Sequence, residues 1–356
     1  MHGRAMKSTS WTSSLLNAPV NLTWEITSAC NLSCRLCLSA EAGVSGAREL
    51  DFAQCAGLID ELDRLRVFQI NFGGGEPFLR EDFLAILEYA QSKGIVTCVS
   101  TNGTVLDRGL VERLQRMDRL YLQVSLDGAG EETNDRIRGE GSYRRILAGI
   151  ELLASRGFAR FSLNMVVTRL NFRDIPLLDR LAKEFGAGTR LSRFRPAGGG
   201  KRTWDQLSLS RDQLQELSLF LGSHPDILTA DSFFAIAARD RRSLGLNMCG
   251  AARMTCSVSP DGSVYPCAFL QDDLFLAGNV TRQSLASIWR ESGPFRMMRG
   301  LRIQSCESCR RFDLCHGGCP AVAYFLTGSL RHPDPECMAT FRQGLGAENP
   351  GTRESA

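Results

Sequence analysis

The sequence predicts an α/β protein whose first half forms a parallel sheet and whose last third is a separate cysteine-rich region. Between residues 20 and 195, apolar segments rich in β-branched residues alternate with amphipathic helical stretches. Eight of the 13 cysteines lie after residue 248. Strands that alternate with helices in this way form parallel sheets with right-handed crossovers, either doubly wound or closed into a barrel. Six such units predict an incomplete barrel.

Six strands are predicted from short apolar runs bounded by turn residues. They cover residues 21–27, 67–73, 95–101, 120–126, 161–167 and 190–195. The first helix is predicted over 51–65, where apolar side chains recur at i, i+3 and i+4, namely Phe52, Cys55, Leu58, Ile59, Leu62 and Leu65. Motifs that directly follow strands are the strongest functional candidates, because in parallel sheets the chemistry gathers at the carboxyl ends of the strands.

The second half of the chain is less regular. Residues 196–204 are a glycine-rich basic break, and one helical pattern follows from Ser210 to Leu221. After Cys249 the periodicity is weak, which predicts a region poor in core that bound metal must stabilise. The predicted organisation is an N-terminal segment (1–19), a barrel (20–200), a connector (201–248), a cysteine-rich domain (249–340) and a flexible tail (341–356).

Composition limits the classes of function. Hydrophobic residues make up 43% and charged residues 23% of the chain, as in globular proteins, and 42 basic against 39 acidic residues give a net charge of +3. This balance argues against nucleic acid as a partner. The sequence shows no secretory signal and no apolar run of the roughly 18 residues that span a bilayer, so we expect a cytoplasmic protein without membrane association. In a reducing compartment, and with an odd number of cysteines, metal ligation is favoured over disulfides.

A compact cysteine motif follows the first predicted strand. Cys30, Cys34 and Cys37 form a C-x3-C-x2-C run. Three thiolates on one loop can bind three irons of a cubane cluster and leave the fourth iron open to a substrate. A zinc knuckle or three buried thiols are the alternatives.

Polar or glycine-bearing motifs also follow the next three predicted strands. They are Gly73–Pro77, Ser100–Gly103 and Ser125–Gly128, the last with Arg136 and Arg138 shortly downstream. Each motif alone is compatible with a simple turn. Because the carboxyl ends of parallel strands share one edge, together they predict a nucleotide-like pocket with a redox metal at its floor.

These motifs resemble those of the radical S-adenosylmethionine (SAM) superfamily over about residues 20–200. The resemblance implies a partial (β/α)6 barrel in which Cys30, Cys34 and Cys37 bind a 4Fe-4S cluster, and the open iron takes the amino and carboxylate groups of SAM. It further implies that Gly74, Gly75 and Glu76 help to hold the amino group and that SAM is cleaved reductively to a 5′-deoxyadenosyl radical. By the same analogy, Ser125 and Arg138 contact the SAM ribose or carboxylate. A helix-capping serine and a surface arginine are the alternatives for these two.

The remaining eight clustered cysteines are enough for two closed four-thiolate sites. They include a C-x2-C-x5-C-x3-C run from Cys306 to Cys319, and on this half alone zinc and iron–sulfur are equally compatible. Joined to the first half, the pattern resembles the SPASM domain, which implies two auxiliary 4Fe-4S clusters and three clusters in total. One would be held by Cys249, Cys256, Cys267 and Cys319, and the other by Cys306, Cys309, Cys315 and Cys337. Cys55 and Cys98 are predicted core residues.

Stretches outside these motifs are similar to the mycofactocin maturase family, among them residues 193–207, 228–234, 245–253 and 275–280. This similarity implies oxidative decarboxylation of a C-terminal tyrosine in a short precursor peptide, followed by a carbon–carbon bond to the preceding valine. It also implies a small peptide-binding chaperone and an electron donor such as flavodoxin or ferredoxin as partners. No catalytic side chain is assigned. Another SPASM enzyme, such as a thioether-forming peptide maturase or an anaerobic sulfatase maturase, is the nearest alternative. A zinc-dependent binding module is an alternative of a different class.

Overall fold

A computed structural model describes residues 16–39, 48–229, 249–309 and 312–337 of the chain. Its strands are β1 (Asn21–Thr27), β2 (Gln69–Gly74), β3 (Val96–Thr101), β4 (Leu120–Ser125), β5 (Phe161–Val167), β6 (Gly188–Arg193), β7 (Leu228–Thr229), β8 (Thr255–Val258), β9 (Ser263–Tyr265) and β10 (Gly278–Asn279). Its α-helices are α1 (Phe52–Arg64), α2 (Phe83–Ser92), α3 (Arg108–Gln115), α4 (Glu131–Arg138), α5 (Ser142–Ser155), α6 (Ile175–Glu184), α7 (Gly200–Leu207), α8 (Arg211–Ser223), α9 (Leu285–Glu291), α10 (Gly293–Arg299), α11 (Phe312–Cys315) and α12 (Pro320–Thr327).

The strands form one sheet in the order β10-β9-β8-β1-β2-β3-β4-β5-β6-β7. Strands β1 to β6 are parallel to their neighbours, as the alternation of strands and helices predicts. The predicted incomplete barrel of six parallel strands is thus confirmed. All six carboxyl ends meet at one edge, which brings the motifs that follow them together.

Helix α1 shows how local sequence sets an element. Asp51 accepts a hydrogen bond from the Gln54 N–H, and the Gln54 side chain accepts one from the Asp51 N–H, so the first turn has a capping box. The helix buries four of the six apolar residues of the predicted stripe, namely Cys55, Leu58, Ile59 and Leu62. Phe52, the first residue of the helix, is instead 41% exposed and contacts the Tyr89 ring.

The cysteine-rich region is joined to the barrel more tightly than the sequence predicts. Strand β8 pairs in parallel with β1, and β9 and β10 extend the sheet by antiparallel pairing. Helices α9 and α10 bury Trp289 and Phe295 in the same core that underlies the barrel. The prediction of a region poor in core is therefore wrong for residues 285–299.

The predicted connector also contains more regular structure than its sequence suggests. Helix α7 begins at Gly200, inside the segment interpreted as a break, and β7 pairs with β6. The predicted helix from Ser210 is present as α8, with Ser210 as its N-cap. Residues 230–248, the predicted tail and most of the N-terminal segment lie outside the described residues.

Candidate active site and cysteine-rich region

The three cysteines of the first motif lie together in the loop that follows β1. Burial raises the pKa of the Cys34 thiol to about 11, and the nearby Cys37 and Cys30 thiols add to the rise. Cys30 is exposed, whereas Cys34 and Cys37 are half-buried. The loop therefore groups three sulfurs where one face remains accessible.

The end of β2 is packed against this loop through backbone atoms. The Gly75 N–H donates to the Thr27 carbonyl and the Glu76 N–H donates to the Ala29 carbonyl, both at 2.8 Å. A Cβ atom on Gly75 would lie 2.0 Å from the Ala29 carbonyl oxygen, so only glycine permits the approach. The glycine run after β2 thus positions the cysteine loop directly.

The motif after β3 supports the other side of the loop. The Asn102 side-chain amide donates to the Asn31 Oδ1 at 2.8 Å and lies 3.9 Å from the Cys30 sulfur. Asn31 in turn donates to the Thr104 hydroxyl at 2.8 Å. The Ser100–Gly103 motif therefore contributes an amide next to the first sulfur.

Glu76 lies inside the protein rather than on the open face of the site. Its side chain is fully buried and accepts hydrogen bonds from the Thr101 hydroxyl at 2.8 Å and the Asn102 N–H at 2.7 Å. Burial raises the pKa of this carboxyl, and the hydrogen bonds lower it in part. The carboxyl group ties the end of β2 to the end of β3.

Arg138 is also buried, with 7% of its surface exposed, so the reading as a surface arginine is wrong. It forms an ion pair with fully buried Asp127 at 2.8 Å. The Arg138 charge lowers the pKa of the Cys34 thiol, against the larger effect of burial. Its backbone carbonyl accepts the Cys34 S–H at 3.9 Å. A fixed positive charge therefore lies beside the sulfurs, where it favours the thiolate form.

Ser125 is the last residue of β4 and is half-buried. Its backbone lies in register with that of Asn164 on β5. Together with Arg138, it brings the motif after β4 to the same edge as the cysteine loop.

A contact that the sequence analysis missed comes from the residues after β6. The Gly199 N–H donates to the Cys37 carbonyl at 2.8 Å, and Gly198 has a φ of +55°. A Cβ atom on Gly198 would lie 1.9 Å from the Leu38 carbonyl oxygen. The glycine run at 198–200 therefore packs on the cysteine loop, and three successive glycines after a strand were the signal for it.

In the cysteine-rich region, four thiols form one group. Burial raises the pKa of the Cys306 thiol to about 11, and Cys337, Cys315 and Cys309 raise it further. These are the four residues that the SPASM resemblance assigns to one cluster.

For the second predicted set, the described contacts are partial. Burial raises the pKa of the Cys267 thiol to about 12, and the nearby Cys319 thiol adds to this rise. Cys256 is fully buried on β8, with Arg299 as a charged neighbour, and Cys249 lies near Arg253. Within the described ranges, no three His, Cys, Asp or Glu side chains converge on a point as they would around a single metal ion.

Asp334 connects this region to the barrel. Its carboxylate forms two hydrogen bonds with Arg193 at the end of β6, at 2.6 and 2.7 Å, and accepts the Cys319 N–H at 2.9 Å. The Asp334 carbonyl accepts the Cys337 N–H at 2.9 Å, and Glu336 also pairs with Arg193. One buried ion-pair network therefore holds a cysteine from each of the two predicted sets.

A separate cavity of about 370 Å³ lies at the amino ends of β3 and β4, on the opposite edge of the sheet. It is open and lined by charged residues that include Arg113, Arg116 and Arg119. Because all strand-end motifs gather at the other edge, we place the candidate active site there.

Comparison with known proteins agrees with this geometry. Residues 24–182 match the radical SAM superfamily, and residues 249–317 match the SPASM iron–sulfur cluster-binding domain. The chain is 40% identical to the mycofactocin maturase MftC of Mycolicibacterium smegmatis, over 93% of this chain and 85% of that protein. It is 32% identical to the AdoMet-dependent heme synthase of Methanosarcina barkeri, over 93% and 99%. In fold it is similar to Streptococcus suis SuiB in the crystal structure bound to precursor peptide SuiA, with a TM-score of 0.76, 19% identity, and coverage of 91% and 77%.

The fold and the cysteine loop define a radical SAM enzyme with an iron–sulfur cluster-binding SPASM domain. The chain belongs to the radical SAM and SPASM family that contains the mycofactocin maturases. Radical SAM enzymes use a 4Fe-4S cluster and SAM, and SPASM domains bind auxiliary iron–sulfur clusters. Among the described residues, no helix is both long and apolar enough to cross a bilayer.

The residues present fit such clusters. Burial raises the pKa of the Cys34 and Cys306 thiols, so they are costly to ionise without nearby positive charge, and iron supplies that charge. Gly75 and Gly198 hold the cysteine loop by close backbone contacts with Ala29 and Leu38.

Proposed function

We propose that this chain modifies a short, ribosomally made precursor peptide that ends in Val-Tyr. The first reaction is oxidative decarboxylation of the C-terminal tyrosine. The second forms a carbon–carbon bond between the decarboxylated tyrosine and the valine. The partners of the reaction are the peptide, a small peptide-binding chaperone and an electron donor such as flavodoxin or ferredoxin.

The observation that supports this proposal best is the loop of three thiols, not four, beside the Arg138 charge, in a chain 40% identical to a mycofactocin maturase. Three protein ligands leave one corner of a cubane cluster available to SAM. The identity extends over 93% of this chain and so includes both cysteine regions.

We assign Cys30, Cys34 and Cys37 to the SAM-binding cluster. The two auxiliary clusters take Cys249, Cys256, Cys267 and Cys319 in one case and Cys306, Cys309, Cys315 and Cys337 in the other. When bound, the first cluster and SAM supply a 5′-deoxyadenosyl radical that takes hydrogen from the tyrosine β-carbon, and an auxiliary cluster supplies an acceptor for the electron that decarboxylation releases.

The remaining site residues position this machinery. The Glu76 and Arg138 side chains already have buried protein partners. We therefore propose that Glu76 holds the cysteine loop in place and that Arg138 provides a fixed positive charge beside it. The backbone of Gly74 and Gly75 and the half-buried Ser125 then provide contacts for SAM. Fixed dipoles and charges of this kind stabilise a reacting group without reorganising during the reaction.

The test is to incubate reduced, reconstituted enzyme with SAM, the chaperone and a synthetic precursor whose terminal tyrosine carries deuterium at the β-carbon. The proposal predicts loss of CO2 together with two hydrogens from the peptide, and deuterium in the 5′-deoxyadenosine. Loss of two hydrogens with the carboxyl group retained would instead indicate a crosslinking enzyme of another SPASM type.

A further inference from the structure

The face of the sheet that points away from the helices carries many polar side chains, together with Val96, Tyr121 and Val166. In β1, Leu22, Trp24 and Ile26 are in the apolar core, while Thr23 and Glu25 alternate with them. The same alternation places polar side chains of the other strands on this inner wall, namely Asn71, Ser100, Gln123, Asn164 and Ser192. Ser192 donates to Asn164 at 2.8 Å and Ser100 donates to Gln123 at 3.4 Å. The wall is therefore suited to a polar substrate.

Arg190 is a half-buried cation on this wall. It lies on β6 in register with Asn164 of β5 and on the same face as Ser192. The strand register places Cys98 of β3 on the same face of the sheet, and the Arg190 charge lowers the pKa of the Cys98 thiol in part. Burial is the larger influence on Cys98 and raises that pKa to about 11.

The arginines that follow on the same segment have protein partners. Arg193 is paired with Asp334, and Arg195 lies 3.9 Å over the Phe269 ring. In contrast, no carboxylate in the described part of the chain lies within ion-pair distance of Arg190. Glu25, the acidic residue of the wall, is buried and accepts the Ser39 hydroxyl at 3.5 Å. Among the described residues, the wall thus presents a guanidinium without a carboxylate partner.

A guanidinium presents its N–H donors in a planar fork that matches a carboxylate. Arg190 lies three residues before the carboxyl end of β6, which is about 10 Å deeper in the barrel than that end at the usual rise per residue. A carboxylate held there would leave the rest of its molecule pointing toward the cysteine loop. A peptide that enters by its C-terminus satisfies this geometry.

We infer that Arg190 binds the C-terminal carboxylate of the substrate peptide and thereby selects a free C-terminus. This inference rests on the proposed function and specifies how its substrate is oriented. It makes Arg190 a specificity-determining residue.

The experiment is a binding cycle with reconstituted holoenzyme and SAM. A fluorescein-labelled synthetic peptide ending in Val-Tyr is compared, by anisotropy, with the same peptide amidated at its C-terminus. For the natural enzyme we expect the amide to bind at least tenfold more weakly. For Arg190→Gln the two peptides should bind within twofold of each other, and Arg173→Gln, which changes an exposed arginine, should keep the natural ratio.

Two results would overturn the inference: equal binding of both peptides by the natural enzyme, or a preserved acid-to-amide ratio in Arg190→Gln. The second could be accompanied by weakened SAM binding in that variant. In that case Arg190 would be assigned to the SAM carboxylate. Failure of the proposed function would be seen in a different measurement. The peptide would keep its terminal carboxyl group after incubation with the natural enzyme, whatever the ratio of the two binding affinities.

Discussion

The two cysteine-bearing regions hold their sulfurs in different ways. The loop after β1 is fixed by backbone contacts from the ends of β2 and β6, and its thiols are half-buried or exposed. In the region after residue 248, Cys256, Cys306 and Cys315 are buried, and one buried network centred on Asp334 ties two further cysteines to the barrel. The first arrangement leaves Cys30 exposed beside two half-buried cysteines, whereas the second buries three of its eight cysteines and leaves the other five half-buried. A metal site with an open position can bind a substrate, whereas a fully ligated site serves stability or electron transfer.

The sharpest test of this contrast is Cys34→Ala. If the loop alone supports SAM cleavage, the variant should form no 5′-deoxyadenosine, yet it should lose the iron of only one cluster in three. Iron analysis and chromatography of the SAM products measure the two quantities. Cys55→Ala is the matched control, since this buried thiol on α1 donates to the Leu50 carbonyl and is assigned to no cluster. Cleavage of SAM by Cys34→Ala would refute the assignment.

The opposite behaviour is expected for Asp334→Asn. Losing the carboxylate leaves the Arg193 charge buried with incomplete compensation, which for buried pairs costs about 3–5 kcal/mol of folding free energy. The backbone N–H of Cys319 also loses its charged acceptor. We expect a lower unfolding temperature under anaerobic conditions and a changed electron paramagnetic resonance spectrum of the auxiliary clusters.

Asp226→Asn is the control for this variant. Asp226 pairs with Lys183 at 3.2 Å, but both side chains are more than half exposed. Exposed pairs contribute little to stability, so the unfolding temperature should not change measurably. An equal response of the two variants would contradict the role given to the buried network.

A glycine pair sharpens the comparison at the first site. Gly75→Ala would place a Cβ 2.0 Å from the Ala29 carbonyl oxygen, whereas a Cβ on Gly73 meets nothing within 4 Å. Overpacking of this kind costs about 1–3 kcal/mol or more, and the loop must shift to relieve it. We expect SAM cleavage to fall by about tenfold or more in Gly75→Ala. Gly73→Ala should cleave SAM normally, and both variants should keep the auxiliary iron.

The sequence predicts much of this contrast but not the contacts that create it. The strands, the cysteine spacing and the glycine motif after β2 follow from periodicity and local chemistry. The pairing of β8 with β1 does not, because it joins segments more than 200 residues apart through backbone atoms alone. No local pattern reveals that Asp334 meets Arg193, which lies 141 residues away, or that Arg138 is buried beside Asp127. The packing of Gly198 on Leu38 is also a long-range contact. The run of three glycines indicates a close backbone approach there, but not its partner.

The smallest predicted effect concerns Glu25, which lies between the two regions. Burial raises the pKa of its carboxyl from 4.5 to about 7, while nearby Gln271 of the cysteine-rich region and Ser39 of the loop lower it in part. Because the folded state holds this proton more tightly than the unfolded state, the natural enzyme should lose stability as pH rises through the window from 4.5 to about 7.

Glu25→Gln removes this titration while keeping a polar side chain of the same size. The stability advantage of the variant should therefore grow with pH, by about 1 kcal/mol between pH 6 and pH 8, measured as the difference in unfolding free energy. Asp63→Asn, at a half-buried carboxyl near the end of α1, serves as the control and is measured at the same pH values. An advantage that is constant with pH would mean that the Glu25 carboxyl is already ionised at pH 6, in which case the space between barrel and cysteine-rich region is wetter than its burial indicates.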